Sequence, residues 1–502
     1  MKKLNLLFIG MLSVCSLNAQ DISDALRYSQ SEIQGTARFR ALSGAFGALG
    51  GDMSAVSINP ASSAVFSQSH ASFTLSNVDT SIDTQYFNGF TTSNTSNFDI
   101  NQGGAAFVFE SRNNSPWRKF SIGVAYDRTN NYDDNWNAVG TNPNNQSIDL
   151  YFLNYADGKR LDQISTLPGE TLADAYTDIG NVYGFAHQQA FLGFESYILE
   201  PDADDDANTT YFSNLVDGNF EHDYLYTSTG YNGKISFNMA TQYEDNLYLG
   251  LNLNSHFIDY QKSTSLIEDT SAGSQITRID FDNYLSTTGN GFSFQLGGII
   301  KLSPEFRFGV AFDSPTWYSI EEETSQSLST YDNANPPVRI NPQTVNVYPR
   351  YKLQTPSKIT GSLAYVFGTQ GLLSFDYSKK DYSKTKFKPE SDTFFADQNA
   401  VISNALTDAS TYRLGGEYKI KQFSLRGGYR FEESPYKDGV TIGDLTGYSL
   451  GIGYNFGNTK LDVTFDQANR TNETPLYNVG LTDAAVIDKT NSNITLSLSF
   501  NI

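Results

Sequence analysis

The sequence predicts an all-β protein, a transmembrane antiparallel β-barrel of 14 strands with an N-terminal hatch inside its lumen. Three observations lead to this prediction. Apolar side chains recur at every second position in many segments, as they do in strands with one apolar face. These segments are close to ten residues long, the length of a tilted strand that crosses a bilayer. The connections between them alternate between long and short, as in outer-membrane barrels.

The first 19 residues have the form of a secretory signal peptide. Two lysines precede the mostly apolar run 4–14, and Ala19 is a suitable cleavage position. The run is too short to cross a bilayer as a helix. Cys15 is the single cysteine, so cleavage after Ala19 leaves a mature chain without thiol or disulfide. An alternative is a lipoprotein signal ending at Cys15, although Val14 is bulky for that motif.

The composition excludes several classes of protein. The 502 residues include 34 Lys and Arg against 55 Asp and Glu, a net charge of -21, which disfavours a nucleic-acid partner. An aromatic content of 14% can bury a large apolar area, which disfavours disorder. Beyond the signal segment the chain lacks an apolar run long enough for a transmembrane helix. We predict no cofactor.

The C-terminus gives the clearest alternation. Ile494, Leu496, Leu498 and Phe500 fall on one face, and small polar residues fall on the other. A soluble sandwich of half-buried strands is the alternative interpretation of such patterns, but it does not explain the alternation of connection lengths. We predict strands near 71–78, 104–110, 119–127, 231–240, 246–259, 292–302, 305–313, 357–367, 371–379, 412–420, 422–432, 447–457, 459–468 and 492–502.

The connection lengths assign the two sides of the membrane. An even strand number puts both termini on the periplasmic side, so the long connections face outward. The largest of them, 128–230, has 103 residues, and loops of that length are usually functional. The predicted organisation is a signal peptide at 1–19, a hatch at 20–70 and a barrel at 71–502.

The predicted hatch does not alternate and is rich in small residues. Its run 44–51 lacks the strand and the Lys-Ser/Thr of a phosphate loop, so we reject that function. The stretch with Asn59, Pro60 and Ala61 resembles the hatch of the FadL-type long-chain fatty-acid transporters, and the segments 355–365 and 412–435 resemble later parts of the same family. The resemblance implies a monomeric outer-membrane barrel that carries hydrophobic molecules without an energy-coupling partner.

Three groups of residues are candidates for function. Residues 171–199 have a helical apolar stripe, which either packs on the barrel rim or lines a groove for a hydrophobic ligand. The hatch phenylalanines either bind ligand or pack the plug. Four lumenal charges either hold the plug or receive a carboxylate headgroup. The candidates for ligand binding are Phe39, Phe46, Phe66, Tyr176, Ile179, Tyr183, Phe191 and Phe194, and the lumenal charges are Arg413, Glu417, Arg426 and Arg430.

These observations favour passive uptake of hydrophobic molecules such as long-chain fatty acids. The alternative is a barrel that docks a protein partner through its outer loops in a secretion or surface-assembly system. An enzyme is not predicted, because the four histidines are scattered and none lies in a metalloprotease or nucleophile motif. For the same reason we predict neither catalytic residues nor a metal site. The expected partners are outer-membrane lipids and one hydrophobic ligand.

Overall fold

The structure is a computed structural model that describes residues 20–111, 115–271 and 273–502. The predicted signal peptide lies outside the described residues. The helices are α1 Ile22–Arg27, α2 Ala37–Ala41, α3 Asp149–Ala156, α4 Leu172–Tyr183, α5 Phe185–Glu195 and α6 Thr393–Ala405, with 3-10 turns at Ser54–Ser57, Pro60–Val65, Leu161–Gln163 and Tyr382–Lys384. In the described part of the chain, no helix combines the length and the apolarity needed to cross a membrane.

The strands make up most of the molecule. In chain order they are β1 His70–Tyr86, β2 Gly89–Glu110, β3 Trp117–Asn131, β4 Asp134–Asn142, β5 Leu199–Pro201, β6 Tyr211–Ser213, β7 Phe220–Tyr243, β8 Leu247–Asp269, β9 Ile276–Lys301, β10 Phe306–Asp313, β11 Trp317–Asp332, β12 Val338–Ile340, β13 Asn346–Val347, β14 Tyr351–Gln354, β15 Lys358–Phe367, β16 Gly371–Asp381, β17 Lys386–Lys388, β18 Asp408–Ile420, β19 Phe423–Glu432, β20 Leu445–Asn455, β21 Thr459–Pro475 and β22 Ala484–Asn501.

The membrane part is a closed antiparallel barrel of 14 strands, as predicted. Each strand pairs with its neighbours in the chain, and β1 pairs with β22 to close the sheet. Closure leaves no unpaired backbone edge, which a strand in lipid requires. The barrel strands are β1, β2, β3, β7, β8, β9, β10, β15, β16, β18, β19, β20, β21 and β22.

The two faces of the wall differ as the alternation predicts. On β22, Ile494 and Phe500 are 54% and 42% exposed on the outside, whereas Thr495 and Ser497 are buried in the lumen. The apolar face therefore meets the hydrocarbon of the bilayer, and the polar face meets the hatch.

Above the membrane the strands extend further than predicted. β1 and β2 continue to a tight turn after Tyr86, so the predicted connection 79–103 is a hairpin. Likewise β8 and β9 remain paired up to Asp269, within the predicted connection 260–291. The periodicity missed these residues because outward positions above the lipid are Ser, Thr, Asn and Asp, so the ladder continues without an apolar face.

The long outer connection folds into a cap at the extracellular end of the barrel. Strand residues extend into both ends of the predicted loop 128–230: β3 ends at Asn131, and β7 begins at Phe220. Between β4 and β7, helices α3, α4 and α5 pack together, and Phe152 and Phe191 are fully buried among them. These residues join one apolar cluster with Phe281 and Leu328 of the barrel extension. We call residues 143–219 the cap.

Residues 20–69, which we call the hatch, lie inside the barrel. Wall glycines provide the space for this segment. At six of them an added Cβ would lie within 2.6 Å of a hatch atom, a distance that real Cβ atoms do not adopt. The hatch backbone therefore touches the wall where side chains are missing, as glycine in a strand allows. The six positions are Gly250, Gly297, Gly309, Gly415, Gly428 and Gly451.

Candidate functional site

The predicted motif Asn59-Pro60-Ala61 attaches the hatch to two strands. The Asn59 side chain is fully buried, and its Nδ2 donates to the carbonyls of Gly47 (2.7 Å) and of Gly298 on β9 (3.0 Å). Its Oδ1 accepts from the Ala61 amide (3.1 Å), which caps the 3-10 turn that Pro60 begins. One amide side chain thus satisfies a helix end and wall carbonyls, which explains why the motif needs Asn.

A buried ion network fixes the other half of the hatch. Glu417 has no exposed side-chain surface, and it accepts from Nε of Arg38 (3.0 Å) and Nε of Arg426 (2.6 Å). Arg426 also donates to Asp462 (2.6 Å). Because Arg38 belongs to the hatch and Arg426 to β19, Glu417 joins the plug to the wall through charge-assisted bonds. A second pair joins Arg40 of the hatch to Asp466 (2.8 Å).

The four lumenal charges that the sequence groups together divide in two. Glu417 and Arg426 form the network, whereas Arg413 and Arg430 lie higher, where both line a lumenal cavity. Arg430 pairs with Glu432 at 3.5 Å. The hatch cations and the wall acids Asp376, Asp462 and Asp466 were not predicted. The three acids lie at positions of β16 and β21 whose side chains face the lumen, and the alternation of those strands could have identified them.

A cavity of about 1180 Å³ lies in the lumen above the hatch. Its apolar side is an aromatic wall in which Tyr132 packs edge-on against Tyr28 (6.4 Å) and Tyr260 (5.1 Å). The Arg27 guanidinium lies over the Tyr260 ring at 4.3 Å. The cap contributes Tyr151, Tyr155 and Phe185 to the lining, and α6 contributes Phe394. The cavity is therefore enclosed by hatch, wall and cap.

The opposite side of the cavity carries three lysines, one each from β7, β15 and β16. Lys358 stands opposite Lys380 in one ladder and opposite Asp313 in the other, and its Nζ binds Asp313 at 2.7 Å. Lys234 stands opposite Asp127, which accepts from Ser57 of the hatch. Three lysines thus stand beside two carboxylates in this part of the cavity.

The predicted hatch phenylalanines have different environments. Phe39 lines the cavity, and its ring lies 5.5 Å from that of Phe46, which is fully buried in the hatch. Phe66 stacks on His70 at the base of β1 (4.6 Å). Phe39 is thus the one of the three that a ligand in the cavity can touch.

The predicted stripe on the outer loop forms the core of the cap. Tyr176, Ile179 and Phe191 are buried in the cluster of the cap, and Phe194 packs against it. None of the five predicted cap residues lines the cavity. Tyr183 is 42% exposed and stacks on His187 (4.9 Å), and burial of that imidazole lowers the pKa of His187 to about 4. Thr171 caps α4, and Gly184 at φ +88° separates α4 from α5.

Beside the lysines, the strand ladder is interrupted between the β10–β15 pair and the β11–β14 pair that continues it outward. The register below (Asp313↔Lys358) and above (Trp317↔Gln354) places Pro315 opposite Pro356, so neither has an N–H for the ladder. Side-chain hydroxyls replace two ladder bonds. Ser314 Oγ accepts from Phe294 N (2.9 Å) and Thr355 Oγ1 from Thr316 N (2.9 Å). We call residues 314–316 and 355–357 the seam.

At the seam, the alternation of inward and outward side chains shifts by one residue. Below it, the even-numbered Phe308 and Val310 face lipid, whereas above it the odd-numbered Trp317 and Glu321 face outward. Between Asp313 and Trp317 the chain has one residue more than β9 has between Gln295 and Phe292. Such an insertion bends a strand and weakens pairing locally. Ser314, Thr316 and Thr355 also line the cavity. The seam is therefore a thin part of the wall at the outer edge of the apolar belt.

Several acidic and histidine residues of the described chain lie apart from the cavity. Within residues 20–111, 115–271 and 273–502, no group of three His, Cys, Asp or Glu side chains could hold a metal ion. The acidic run around Asp204 lies in an exposed turn between β5 and β6. His222 is buried with Glu268 (2.8 Å) in the barrel extension and contacts Tyr86 (3.1 Å), an internal bond network.

Known proteins show the same architecture. A family model described as outer membrane protein transport protein (OMPP1/FadL/TodX) matches residues 205–501, more than half of the chain. No curated protein sequence matches. A FadL homologue from Pseudomonas aeruginosa superposes with a TM-score of 0.54 at 13% identity, over 94% of this chain and 99% of that one. The toluene transporter TodX from P. putida gives 0.50 at 11% identity, over 94% and 99%.

Identities this low show the fold, which agrees with the 14-strand barrel described above. The family match covers β7 to β22, together with the Gly250 and Gly297 positions that receive the motif Asn59-Pro60-Ala61. The family is one of transport proteins and not of enzymes. The chain therefore belongs to the outer membrane transport protein family of OMPP1, FadL and TodX, and it is an outer-membrane β-barrel of that family.

Proposed function

We propose that this barrel takes up amphipathic organic anions with a long apolar chain, such as long-chain fatty acids, by passive passage through its lumen. The observation that carries the proposal is the cavity above the hatch, which joins an aromatic wall to three lysines. An acyl chain gains about 25 cal/mol for each Å² buried against the aromatic wall. A carboxylate gains a charge-assisted hydrogen bond from a lysine.

The charges of the cavity favour an anion over a neutral hydrocarbon. TodX is a toluene transporter, and toluene has no group that could pair with an ammonium. Here Lys380 and Lys358 face each other across one ladder, with Asp313 as the single carboxylate bonded to the pair. An added carboxylate relieves the repulsion between the two lysines, which a neutral ligand cannot do.

The structure supports a route in two steps. The extracellular side of the cavity is lined by α6 and by residues 435–442 and 472–478, so a ligand arrives between these loops. The cavity continues to the seam, whose ladder is interrupted at Pro315 and Pro356. We propose that the apolar chain leaves sideways through the seam into the lipid, while the hatch stays in place. The role of the hatch in this proposal is to close the direct path to the periplasm.

Ligand selectivity tests the proposed substrate class. We expect the purified barrel to bind oleate more tightly than oleyl alcohol or toluene in isothermal titration calorimetry. In Lys380→Gln, loss of one charge-assisted bond worth about 1.5 kcal/mol should weaken oleate binding about ten-fold and leave the alcohol unaffected. Lys421→Gln, an exposed lysine at a periplasmic turn, is the matched control. Equal affinities for oleate and oleyl alcohol would contradict the proposal.

A disulfide across the seam tests the exit route. Thr316 and Thr355 stand opposite each other, and the predicted mature chain has no other thiol. We expect oxidised Thr316→Cys/Thr355→Cys to bind oleate normally but to transfer it into proteoliposomes at least about ten-fold more slowly, with recovery on reduction. Leu450→Cys/Phe465→Cys joins an uninterrupted strand pair and serves as the control. Unchanged transfer through the oxidised seam would exclude lateral exit there.

A further inference from the structure

The outward face of the barrel above the lipid carries exposed carboxylates on four strands. Beyond the last apolar outward residues, β1, β8, β9 and β11 present carboxylates to the outside. This agrees with the net charge of -21 and with a surface that repels anions. The exposed carboxylates are Asp79, Asp259, Glu321 and Glu323, with Asp282 further out on β9.

One side of the barrel is different. Residues 379–388 contain five lysines, and Lys352 lies on the strand that pairs with this segment. In that ladder Lys352 stands directly opposite Lys388, and Gln354 stands opposite Lys386. Like charges opposite each other on one strand pair are destabilising. We call the outward-facing members of this group, Lys352, Lys379, Lys384, Lys386 and Lys388, the lysine patch.

The patch is only partly neutralised from within the chain. Glu390 binds Lys386 (2.9 Å) and Lys388, and these two ammonium groups lower the pKa of Glu390 to about 2. Asp408 binds Lys379 at 2.7 Å. Lys352 and Lys384 form no ion pair with any residue that the structure describes. Ion pairs with Glu390 and Asp408 thus involve three of the five ammonium groups of the patch.

The height of the patch matches a lipid headgroup. Tyr377 precedes Lys379 by two residues on β16 and faces the same way. Its ring lies 5.3 Å from that of Tyr412, which lies 6.4 Å from Phe431, so an aromatic belt runs directly below the lysines. Tyrosines in such belts sit at the level of the headgroups. The lysines above them therefore reach the phosphate layer of the outer leaflet.

We propose that the lysine patch binds the phosphate groups of an outer-leaflet glycolipid and so holds one lipid against β14, β16 and β17. The site lies on the outside of the barrel and does not depend on the lumenal cavity. It combines the electrostatic attraction of several lysines to an anionic lipid with a membrane position that a soluble anion does not share. The exposed carboxylates of β1, β8 and β11 would repel the same headgroup.

Native mass spectrometry of the full barrel in neutral detergent tests the site, with diphosphoryl lipid A as the probe. We expect one tightly retained lipid on the unchanged protein. Lys352→Gln/Lys388→Gln should lower its affinity about thirty-fold, since each lysine near such a surface contributes a factor of about five. Arg118→Gln/Lys421→Gln removes two exposed charges at the periplasmic end and should leave binding unchanged. Heat-modifiable migration in gels confirms that each variant is folded.

Three further arms test whether the lysines recognise the phosphates of a lipid. Glu390→Gln removes the internal competitor and should strengthen lipid binding several-fold. Dephosphorylated lipid A should bind no better to the unchanged protein than to the double lysine variant. Inorganic phosphate at physiological ionic strength should not displace the lipid. Equal binding of phosphorylated and dephosphorylated lipid would overturn the proposal, and so would displacement by inorganic phosphate, which would indicate a site for soluble anions.

Discussion

The substitution Gly250→Val should displace the hatch from the lumen and open the barrel. Gly250 lies on β8 with its α-carbon facing the lumen, against the motif that begins at Asn59. An added Cβ would stand 2.3 Å from the carbonyl carbon of Pro60 and 2.4 Å from the amide nitrogen of Ala61. Both are backbone atoms of a short 3-10 turn held at its start by Asn59, so they cannot rotate away.

Gly250→Val should destabilise only the state in which the hatch fills the lumen. Valine is a favourable residue for a strand, so the barrel itself should still fold. Overpacking against a fixed partner costs about 3 kcal/mol, which corresponds to about a hundred-fold rise in the fraction of barrels with a displaced hatch. Single-channel recording in planar bilayers should show frequent large openings of this variant and a mostly closed unchanged protein.

Gly298 supplies the control for this experiment. It lies on β9 next to the lumenal Gly297, but an added Cβ would point outward and meet no heavy atom closer than 3.7 Å. Gly298→Val should therefore stay closed. A closed Gly250→Val barrel would show that the hatch can shift along the wall without leaving it, and openings in both variants would assign the effect to the strands.

The sequence predicts the membrane-spanning parts of the strands, where one face must be apolar. Outward residues of β22 must be apolar because hydrocarbon surrounds them, so Ile494 and Phe500 reveal the strand by their spacing. Above the bilayer, polar side chains are tolerated on both faces of a strand. The extensions of β1 and β2 therefore lack an apolar alternation that would reveal them. The motif at Asn59 was singled out by its resemblance to the hatch of FadL-type transporters, and the structure gives its amide two backbone carbonyls as acceptors.

The cavity could not be predicted in the same way. Parity shows that Arg413 and Glu417 both face the lumen, but four residues along a strand separate them by about 13 Å. They therefore lie at different depths, one beside the cavity and one beside the hatch. The three lysines come from β7, β15 and β16, and only the closed barrel and its register bring these strands to one level.

Removing the charge of Glu417 should loosen the hatch without changing its shape. Glu417→Gln keeps the volume of the side chain but leaves Arg38 and Arg426 without a shared carboxylate. Breaking one partner of a buried ion pair costs about 3–5 kcal/mol, because the remaining charge stays desolvated. Arg426 keeps Asp462, and Arg38 is one-fifth exposed, so we expect the lower end of that range, about 3 kcal/mol.

Limited proteolysis with trypsin measures how often the hatch leaves the lumen. Arg40 is buried in the hatch, so cleavage after it requires the hatch to leave the lumen. When opening is fast relative to cleavage, the rate follows the open population, and about 3 kcal/mol gives about a hundred-fold faster cleavage. Glu321→Gln removes an equal charge from an exposed pair with Arg350, for which at most about 1 kcal/mol is expected. Its cleavage rate should stay close to that of the unchanged protein.

A double-mutant cycle then separates the network from simple loss of charge. If Glu417 holds the hatch through Arg426 and Arg38 together, Arg426→Gln should accelerate cleavage less in the Glu417→Gln background than alone, because its main partner is already absent. Additive effects of the two changes would mean that Glu417 acts on Arg38 independently of the wall. The hatch would then be held chiefly by Asn59 and by Arg40 with Asp466, and the ion network would serve the barrel rather than its plug.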